Sequence, residues 1–318
     1  MLIIDDFGVC PWPGQTSVVT IGAFDGLHVG HRAIIEQVLA GARSAEGVAK
    51  AVLITFDRHP ASLIRPDSAP KLLTEHHRKL ELLAETGLDA TAIIRFDEEQ
   101  SAESPEAFVE RVLVQCLRAR LVVVGEDFHF GRGRRGNVAL LRELGQVHGF
   151  EVQPISLIAS GPGVASSTAI RAAVAAGDIA AANELLARPF ELAGIVQRGD
   201  ERGRTIGFPT ANVEVPSEFS IPAEGVYAAW YVRDIGHGKT ISLPAAVNIG
   251  RRPTFYENAP HALIEAHVID QLNLDLYGEM ARLQFMERLR GEQKFSGIDE
   301  LRIQLQRDIE RARRVLTP

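Results

Sequence analysis

Two groups of residues have types and spacings that suit phosphate chemistry. The first closes the string Gly22-Ala23-Phe24-Asp25-Gly26-Leu27-His28-Val29-Gly30-His31. Glycines in such a string let the backbone approach a ligand closely. The string enters a helical pattern over residues 31–43, and a helix N-terminus offers unpaired N–H groups and a favourable potential to an anion. His28 and His31 are spaced to face one side of the first turn. A neutral imidazole donates one hydrogen bond to phosphate, and a charged one donates more strongly. The string has neither the lysine and terminal Ser/Thr of a Walker A loop nor the Gly-x-Gly-x-x-Gly order of a dinucleotide fingerprint. Capping or core packing would also use two histidines here, and no third ligand for a metal is placed. The second group lies in Gly203-Arg204-Thr205-Ile206-Gly207-Phe208-Pro209-Thr210-Ala211-Asn212 and Ile264-Glu265-Ala266-His267-Val268-Ile269-Asp270. Read alone, Thr210 and Asn212 would equally fix a turn after Pro209. If residues 264–270 form a strand, Glu265, His267 and Ile269 share one face, which makes Glu265 and His267 rival proton acceptors.

The elements that must position these groups change character along the chain. Short apolar runs at 18–21, 52–56, 92–96, 121–125 and 151–155 alternate with helical patterns, among them 105–118 and 138–147. That order predicts a mostly parallel sheet with helices on both faces and ligands beyond the carboxyl ends of its strands. Two alanine-rich helices are expected at 168–176 and 178–186, and Ala187-Arg188-Pro189-Phe190 reads as a boundary, giving domains 1–187 and 188–318. Beyond it, runs at 190–196, 225–231, 243–249 and 262–269 fit strands. A small antiparallel barrel is the simplest solution, because closure removes exposed edges. Ile298, Leu301, Leu305, Ile309, Ala312 and Leu316 then recur as one face of a terminal helix.

Composition narrows the partners. A chain of 318 residues, 46% hydrophobic and 24% charged, suits two globular domains. A net charge of -7 argues against non-specific nucleic-acid binding, while local basic pockets can still hold small phosphorylated ligands. Cys10 and Cys116 are too few for a disulfide scaffold or a four-cysteine metal site and fit free thiols in a reducing compartment. With no basic-then-apolar leader and no membrane-length apolar run, the expectation is a cytoplasmic protein with no membrane partner. Nothing in the pattern specifies a homo-oligomer.

His28-x-Gly30-His31 resembles the signature of the nucleotidyltransferase superfamily, and the longer string resembles the prokaryotic bifunctional riboflavin kinase/FAD synthetase family. Thr55-Phe56-Asp57-x-His59-Pro60, Val124-Gly125-x-Asp127-Phe128-x-Phe130-Gly131, Ser166-Ser167-Thr168-x-Ile170-Arg171 and the string at 203–212 match the same family in order. The resemblance covers nearly the whole chain. It implies an α/β Rossmann-like nucleotidyltransferase domain followed by a small antiparallel β-barrel kinase domain with a C-terminal helix. It further implies synthesis of FMN from riboflavin and ATP, then of FAD from FMN and ATP with release of pyrophosphate. A riboflavin kinase with an inactive N-terminal domain and a non-catalytic flavin-binding protein are the competing readings.

The resemblance also implies roles. His28 and His31 would contact ATP phosphates, and Ser167, Thr168 and Arg171 would complete that cradle. The two hydroxyls read as caps preceding a helix, and Arg171 supplies a planar charged fork. Asp127 would help order the nucleotide or flavin phosphate, although an Asx turn fits it too. Arg132, Arg134 and Arg135 suit either a solvated loop or flavin-phosphate binding. Arg58 stands where relatives commonly have proline, and His59 reads as a nucleotide contact or a packed turn histidine. In the kinase module, Arg204 would meet phosphate, and Thr210 and Asn212 would hold the Mg2+ of Mg-ATP, which prefers oxygen ligands. Glu265 would accept the proton of the riboflavin 5′-hydroxyl. No family match supports His267 in that role. Arg290 and Phe295, in a stretch with Glu292 and Lys294, would position flavin; an exposed charged helix segment is the alternative there.

Overall fold

The structure, a computed structural model, describes residues 1–44, 49–156, 165–198, 207–236, 238–251, 262–271 and 274–317. It divides into two compact units, Met1–Ser166 and Ser167–Pro318. In the first unit the strands are β1 (Leu2–Ile4), β2 (Thr16–Ile21), β3 (Ala49–Phe56), β4 (Ala90–Ile94), β5 (Ala119–Gly125), a short ribbon of β6 (His129–Phe130) and β7 (Gly136–Asn137), and β8 (Glu151–Ile155). The main sheet has the order β1-β4-β3-β2-β5-β8, with every pair parallel. The helices are α1 (Val29–Arg43), α2 (Pro60–Ile64), α3 (His76–Ala84), α4 (Glu98–Ala102), α5 (Pro105–Phe108) and α6 (Val138–His148).

Strands of a parallel sheet are covered on both faces, so their apolar residues run almost without interruption. Successive residues go to opposite layers. Val19, Ile21, Val52 and Ile54 pack with Val109, Val112, Leu113 and Leu141. Val18, Leu53 and Val123 pack with Ile34, Ile35, Val38, Leu82 and Leu83. The chain builds outward from β2 through β3 and β4, then returns to place β5 on the other side of β2. The carboxyl ends of β2 and β5 therefore flank a topological switch point, where α/β sheets hold ligands. The helix expected at 105–118 begins at Pro105, but Val109–Cys116 winds in π-type turns. Cys116 is buried there, and burial pushes its thiol up to about 11, away from the reactive thiolate form.

The second unit opens with α7 (Ser167–Ala176) and α8 (Ile179–Leu186). Six strands follow: β9 (Phe190–Gln197), β10 (Ala211–Glu214), β11 (Gly225–Asp234), β12 (Thr240–Arg251), β13 (Ala262–Val268) and β14 (Met280–Arg290). They close as an antiparallel barrel in the order β10-β13-β12-β11-β14-β9, with β9 pairing back to β10. Phe190, Tyr227, Tyr231 and Phe285 are its largest fully buried rings. The compact units divide after Ser166, whereas the sequence places the domain boundary after residue 187. The reason is visible in Asn183 of α8. Its Oδ1 accepts from Phe190 N at 2.6 Å and its Nδ2 donates to the Phe285 carbonyl at 3.0 Å, so the two helices cluster with the barrel.

The terminal helix α9 (Ile298–Leu316) lays Ile309, Ala312 and Leu316 against Val226, Ala228 and Leu289. Beside that seam Asp308 is buried and accepts from Arg290 through Nε at 3.0 Å and Nη2 at 2.8 Å. Removing one partner of such a pair leaves the other buried and uncompensated. Asp308→Ala is expected to destabilise the second unit by about 3 kcal/mol, read as a lower urea midpoint with an unchanged slope. A variant with the parent's midpoint would show that α9 is held by its apolar face alone.

Candidate functional site

The first group of candidates sits at the switch point. His28 is the N-cap of α1, buried, with Nδ1 accepting from His31 N at 3.3 Å. A ring that accepts at Nδ1 carries its proton on Nε2, so this bond fixes the donor side of His28. The rings of His28 and His31 stack at 3.6 Å between centroids, and Phe24 lies 4.9 Å from His31. His31 Nδ1 is buried with no hydrogen-bond partner among the described residues. Burial, first, and then the charges of His28 and Lys79 hold the His31 pKa well below the usual imidazole value. That direction favours the neutral imidazole of His31. Gly30 admits no side chain without cost: a Cβ there would stand 3.1 Å from both the His28 ring and the Ala165 carbonyl oxygen.

The loop that presents these histidines is strained and pinned. Phe24, Gly26 and Leu27 all have positive φ, at 49°, 86° and 38°. Left-handed non-glycine residues cost about 1–3 kcal/mol each. Phe24 and Leu27 are buried in the layer over α1, and burying such side chains returns about 1.5–3 kcal/mol each. Asp25 is buried too, with Oδ1 accepting from Leu73 N at 3.0 Å and Thr74 N at 3.1 Å. A further residue, which the sequence reading missed, holds the loop from below. Lys79 on α3 is buried and donates from Nζ to the Ala23 carbonyl at 3.3 Å, Thr55 Oγ1 at 3.1 Å and the Phe56 carbonyl at 3.1 Å. Within His77-Arg78-Lys79 it reads as one more exposed helical charge; its position beside Leu80, Leu82 and Leu83 was the available signal.

Other candidates of this unit take definite places. Asp127 is exposed in the turn after β5, with its carboxylate against Gly125. His59 is the N-cap of α2, where its Nδ1 accepts from Ala61 N at 3.1 Å. Arg132, Arg134 and Arg135 stand exposed in the loop after β6. Ser167 and Thr168 were expected to cap the start of a helix. They instead form the first turn of α7, which begins at Ser167, and Arg171 is half-buried one turn on. Ser166 takes the position in front of the helix.

In the barrel, strand register brings the second group together. Across β10 and β13, Asn212 pairs directly with Glu265. Across β13 and β12, Glu265 pairs with Asn248. Directly opposed residues share a face, so Asn212, Glu265 and Asn248 form one polar row over three strands. Ile264, Ala266 and Val268 fill the other, buried face, as the alternation predicts. A Cβ on Gly250 would lie 2.9 Å from Glu292 Oε1 and 3.7 Å from Asn248 Nδ2, so the Glu292 carboxylate lies against Gly250, two residues along β12 from Asn248. Glu292 belongs to the stretch that the family resemblance implies would close against the flavin.

His267 Nδ1 lies 2.8 Å from the Pro209 carbonyl oxygen. A carbonyl only accepts, so Nδ1 carries the proton and the ring secures the residue next to Thr210. Burial lowers the His267 pKa, opposed in part by Pro209 and Asp270. Thr210 edges a pocket with Pro209, Ala266, Leu274, Leu276 and Tyr277. Thr210 and Asn212 together supply a hydroxyl and an amide oxygen, a donor set that suits a hard cation retaining water and phosphate ligands. Arg290 spends its fork on Asp308, and its guanidinium carbon lies 5.7 Å from the Phe295 ring. Arg204 lies outside the described residues.

Comparison with known proteins assigns both halves. Residues 11–169 match the FAD synthetase family and residues 186–316 the riboflavin kinase family. A protein of Escherichia coli (strain K12) named bifunctional riboflavin kinase/FMN adenylyltransferase is 39% identical over 296 residues, covering 93% of this chain and 91% of that protein. The chain belongs to the bifunctional riboflavin kinase/FMN adenylyltransferase family. Another member, from Bacillus subtilis (strain 168), is 34% identical over 93% of this chain and 91% of its own. The family fold also appears in a solved structure titled macrolide-efflux protein from Streptococcus pneumoniae, with a TM-score of 0.82, 27% identity and 98% coverage of both chains. The efflux named in that title is said of that protein. Among the described residues of this family member, no helix is long and apolar enough to cross a membrane.

Proposed function

We propose that the barrel phosphorylates riboflavin with ATP to give FMN and ADP, and that the α/β unit joins FMN to the AMP moiety of a second ATP, giving FAD and pyrophosphate. The observation that carries this reading is the presence of both family matches, in tandem, on one chain. Functionally the division is drawn as the sequence reading had it, 1–187 and 188–318. Incubation with riboflavin, ATP and Mg2+ tests it, with products followed in time. FMN followed by FAD is the expected result. FMN alone would reduce the chain to a kinase, and absence of both would reduce it to a flavin-binding protein.

In the kinase half, Glu265 orients the riboflavin 5′-hydroxyl and accepts its proton as that oxygen attacks the γ-phosphorus. Asn248 and Asn212 flank it by register and keep its face polar. Thr210 and Asn212 would hold Mg2+, whose chemistry there is to neutralise phosphate charge, and Arg204 is proposed as a further phosphate contact. Glu292, Phe295 and Arg290 frame the flavin end; Arg290 does so by anchoring α9. Positioning and charge stabilisation supply most of the rate in phosphoryl transfer. Asn212→Ala is expected to raise the Mg2+ requirement of riboflavin phosphorylation and slow it by about 10²-fold, as for a lost transition-state contact, while FMN adenylylation persists. Metal titrations on both half-reactions check this. Equal loss of both, in a folded protein, would point to coupling between the units.

In the adenylylation half, an FMN phosphate oxygen attacks the α-phosphorus and pyrophosphate leaves. The nucleophile is already anionic, so no side-chain base is assigned. His28 and His31 are proposed to donate to the ATP phosphates and stabilise charge on the leaving group. Ser167, Thr168 and Arg171 are assigned to the same phosphates on the strength of their motif, and Asp127 to ordering the nucleotide or flavin phosphate. Free Cys10 and Cys116 support a reducing, cytoplasmic setting, with ATP and flavins as partners.

A further inference from the structure

We propose that Lys79 is a positioning residue for FMN adenylylation, its ammonium fixing the loop that carries His28 and supplying charge beneath the phosphate cradle. Two of its three acceptors are carbonyls at the carboxyl ends of neighbouring parallel strands: Ala23 follows β2 and Phe56 closes β3. The third, Thr55 Oγ1, itself donates to the Ala23 carbonyl at 3.1 Å. An ammonium has three N–H groups for three acceptors, whereas a neutral amine has two. Held this way, the Ala23 carbonyl faces a cation and a hydroxyl donor.

The charged surroundings make this a site feature as well as a packing one. Asp25 and Asp57 are the carboxylates that act on Lys79, and His31 and His76 are the imidazoles that feel it. Glu75 and His77, at the start of α3, bear on His76 in turn. With Lys79 protonated, the proton on His31 is disfavoured, so the neutral state of the proposed phosphate donor depends partly on the lysine. Burial brings the Lys79 pKa down to about 8, against the opposing pull of Asp25 and then Asp57. The direction follows: the ammonium predominates below that pH and is lost as pH rises through it. Loop control, and with it FAD formation, should weaken on the alkaline side. A lysine needed only to fill space would impose no such limb.

The inference rests on the adenylyltransferase reading of the first unit, and the test separates the two. FMN adenylylation and riboflavin phosphorylation are measured on the full chain between about pH 6.5 and 9.5, for the parent, Lys79→Arg and Lys79→Met. In the parent, kcat/KM for ATP in FAD formation should fall through an apparent pKa of about 8, with no matching limb in FMN formation. Lys79→Arg, permanently charged, should carry the limb beyond the measured range. Lys79→Met should lose about 10²-fold in FAD formation, the usual scale of a misplaced site, while its riboflavin phosphorylation stays at the parent rate. The Met substitution should also raise the His31 pKa, followed by NMR. A limb near 8 that survives in Lys79→Arg, or parent-like FAD formation by Lys79→Met, overturns the assignment to Lys79. So does equal loss of both half-reactions with a lowered melting temperature. A parent that makes FMN but no FAD at any pH overturns the reading of the whole unit, and this inference with it.

Discussion

Glu265→Gln is expected to slow the chemical step of riboflavin phosphorylation by about 10²- to 10⁴-fold, the range of general base catalysis. Glutamine keeps the size and part of the hydrogen bonding of glutamate but loses the charge and the basic oxygen. Its register between Asn212 and Asn248 is set by backbone pairing, so the substitution should leave the strand in place. Binding of Mg-ATP and riboflavin should change far less than the rate, and FAD formation from supplied FMN should match the parent. Rapid-quench measurement is the appropriate readout, since slow product release can mask a chemical defect. An unchanged chemical step would remove Glu265 as the base. His267→Ala provides the contrast. Because its ring holds the Pro209 carbonyl, that variant should weaken Mg-ATP binding through Thr210 rather than abolish proton transfer.

His31→Ala is expected to cost FMN adenylylation about 10²- to 10³-fold, as loss of a preorganised donor to developing charge does elsewhere. Riboflavin phosphorylation should be untouched. His31 is a cleaner probe than His28, which also caps α1, so that replacing it would add about 1 kcal/mol of helix destabilisation. The lowered pKa has a further consequence. Protonation of His31 should begin well below the ordinary histidine range, so FAD formation should show no acid limb there that the His31 variant abolishes. A folded His31→Ala protein with normal FAD formation would remove this residue from the cradle.

Much of the architecture was written in local patterns. Residues 151–155 were read to their ends, and β2, β3 and β5 were found with only their first residues missed, because buried parallel strands are continuous apolar runs. β14 escaped notice because Met280, Arg282, Gln284, Met286 and Glu287 are good helix formers. Burial of Ala281, Leu283 and Phe285, an alternation of two, decides otherwise. The histidines, Thr210, Asn212 and Glu265 were legible as motifs, and strand alternation put Glu265 and His267 on one face. That Asn248 completes the row could not be read, since register between β12 and β13 is a property of the assembled sheet. For Lys79 the local pattern offers only its phase with Leu82 and Leu83: its acceptors lie at residues 23, 55 and 56, and nothing local to α3 announces them.

The pinning of the loop by Asp25 and Lys79 also orders events on the ribosome. The loop spans residues 22–28, yet its fasteners are the amides of Leu73 and Thr74 and the ammonium of Lys79. A nascent chain that has released only β2 and α1 can bury Phe24 and Leu27 against α1, but it lacks the partners of Asp25 and of the Ala23 carbonyl. Long-range closures of this kind are late steps, because chain entropy is lost before any contact compensates. The loop should therefore reach its final form only after α3 has cleared the exit tunnel.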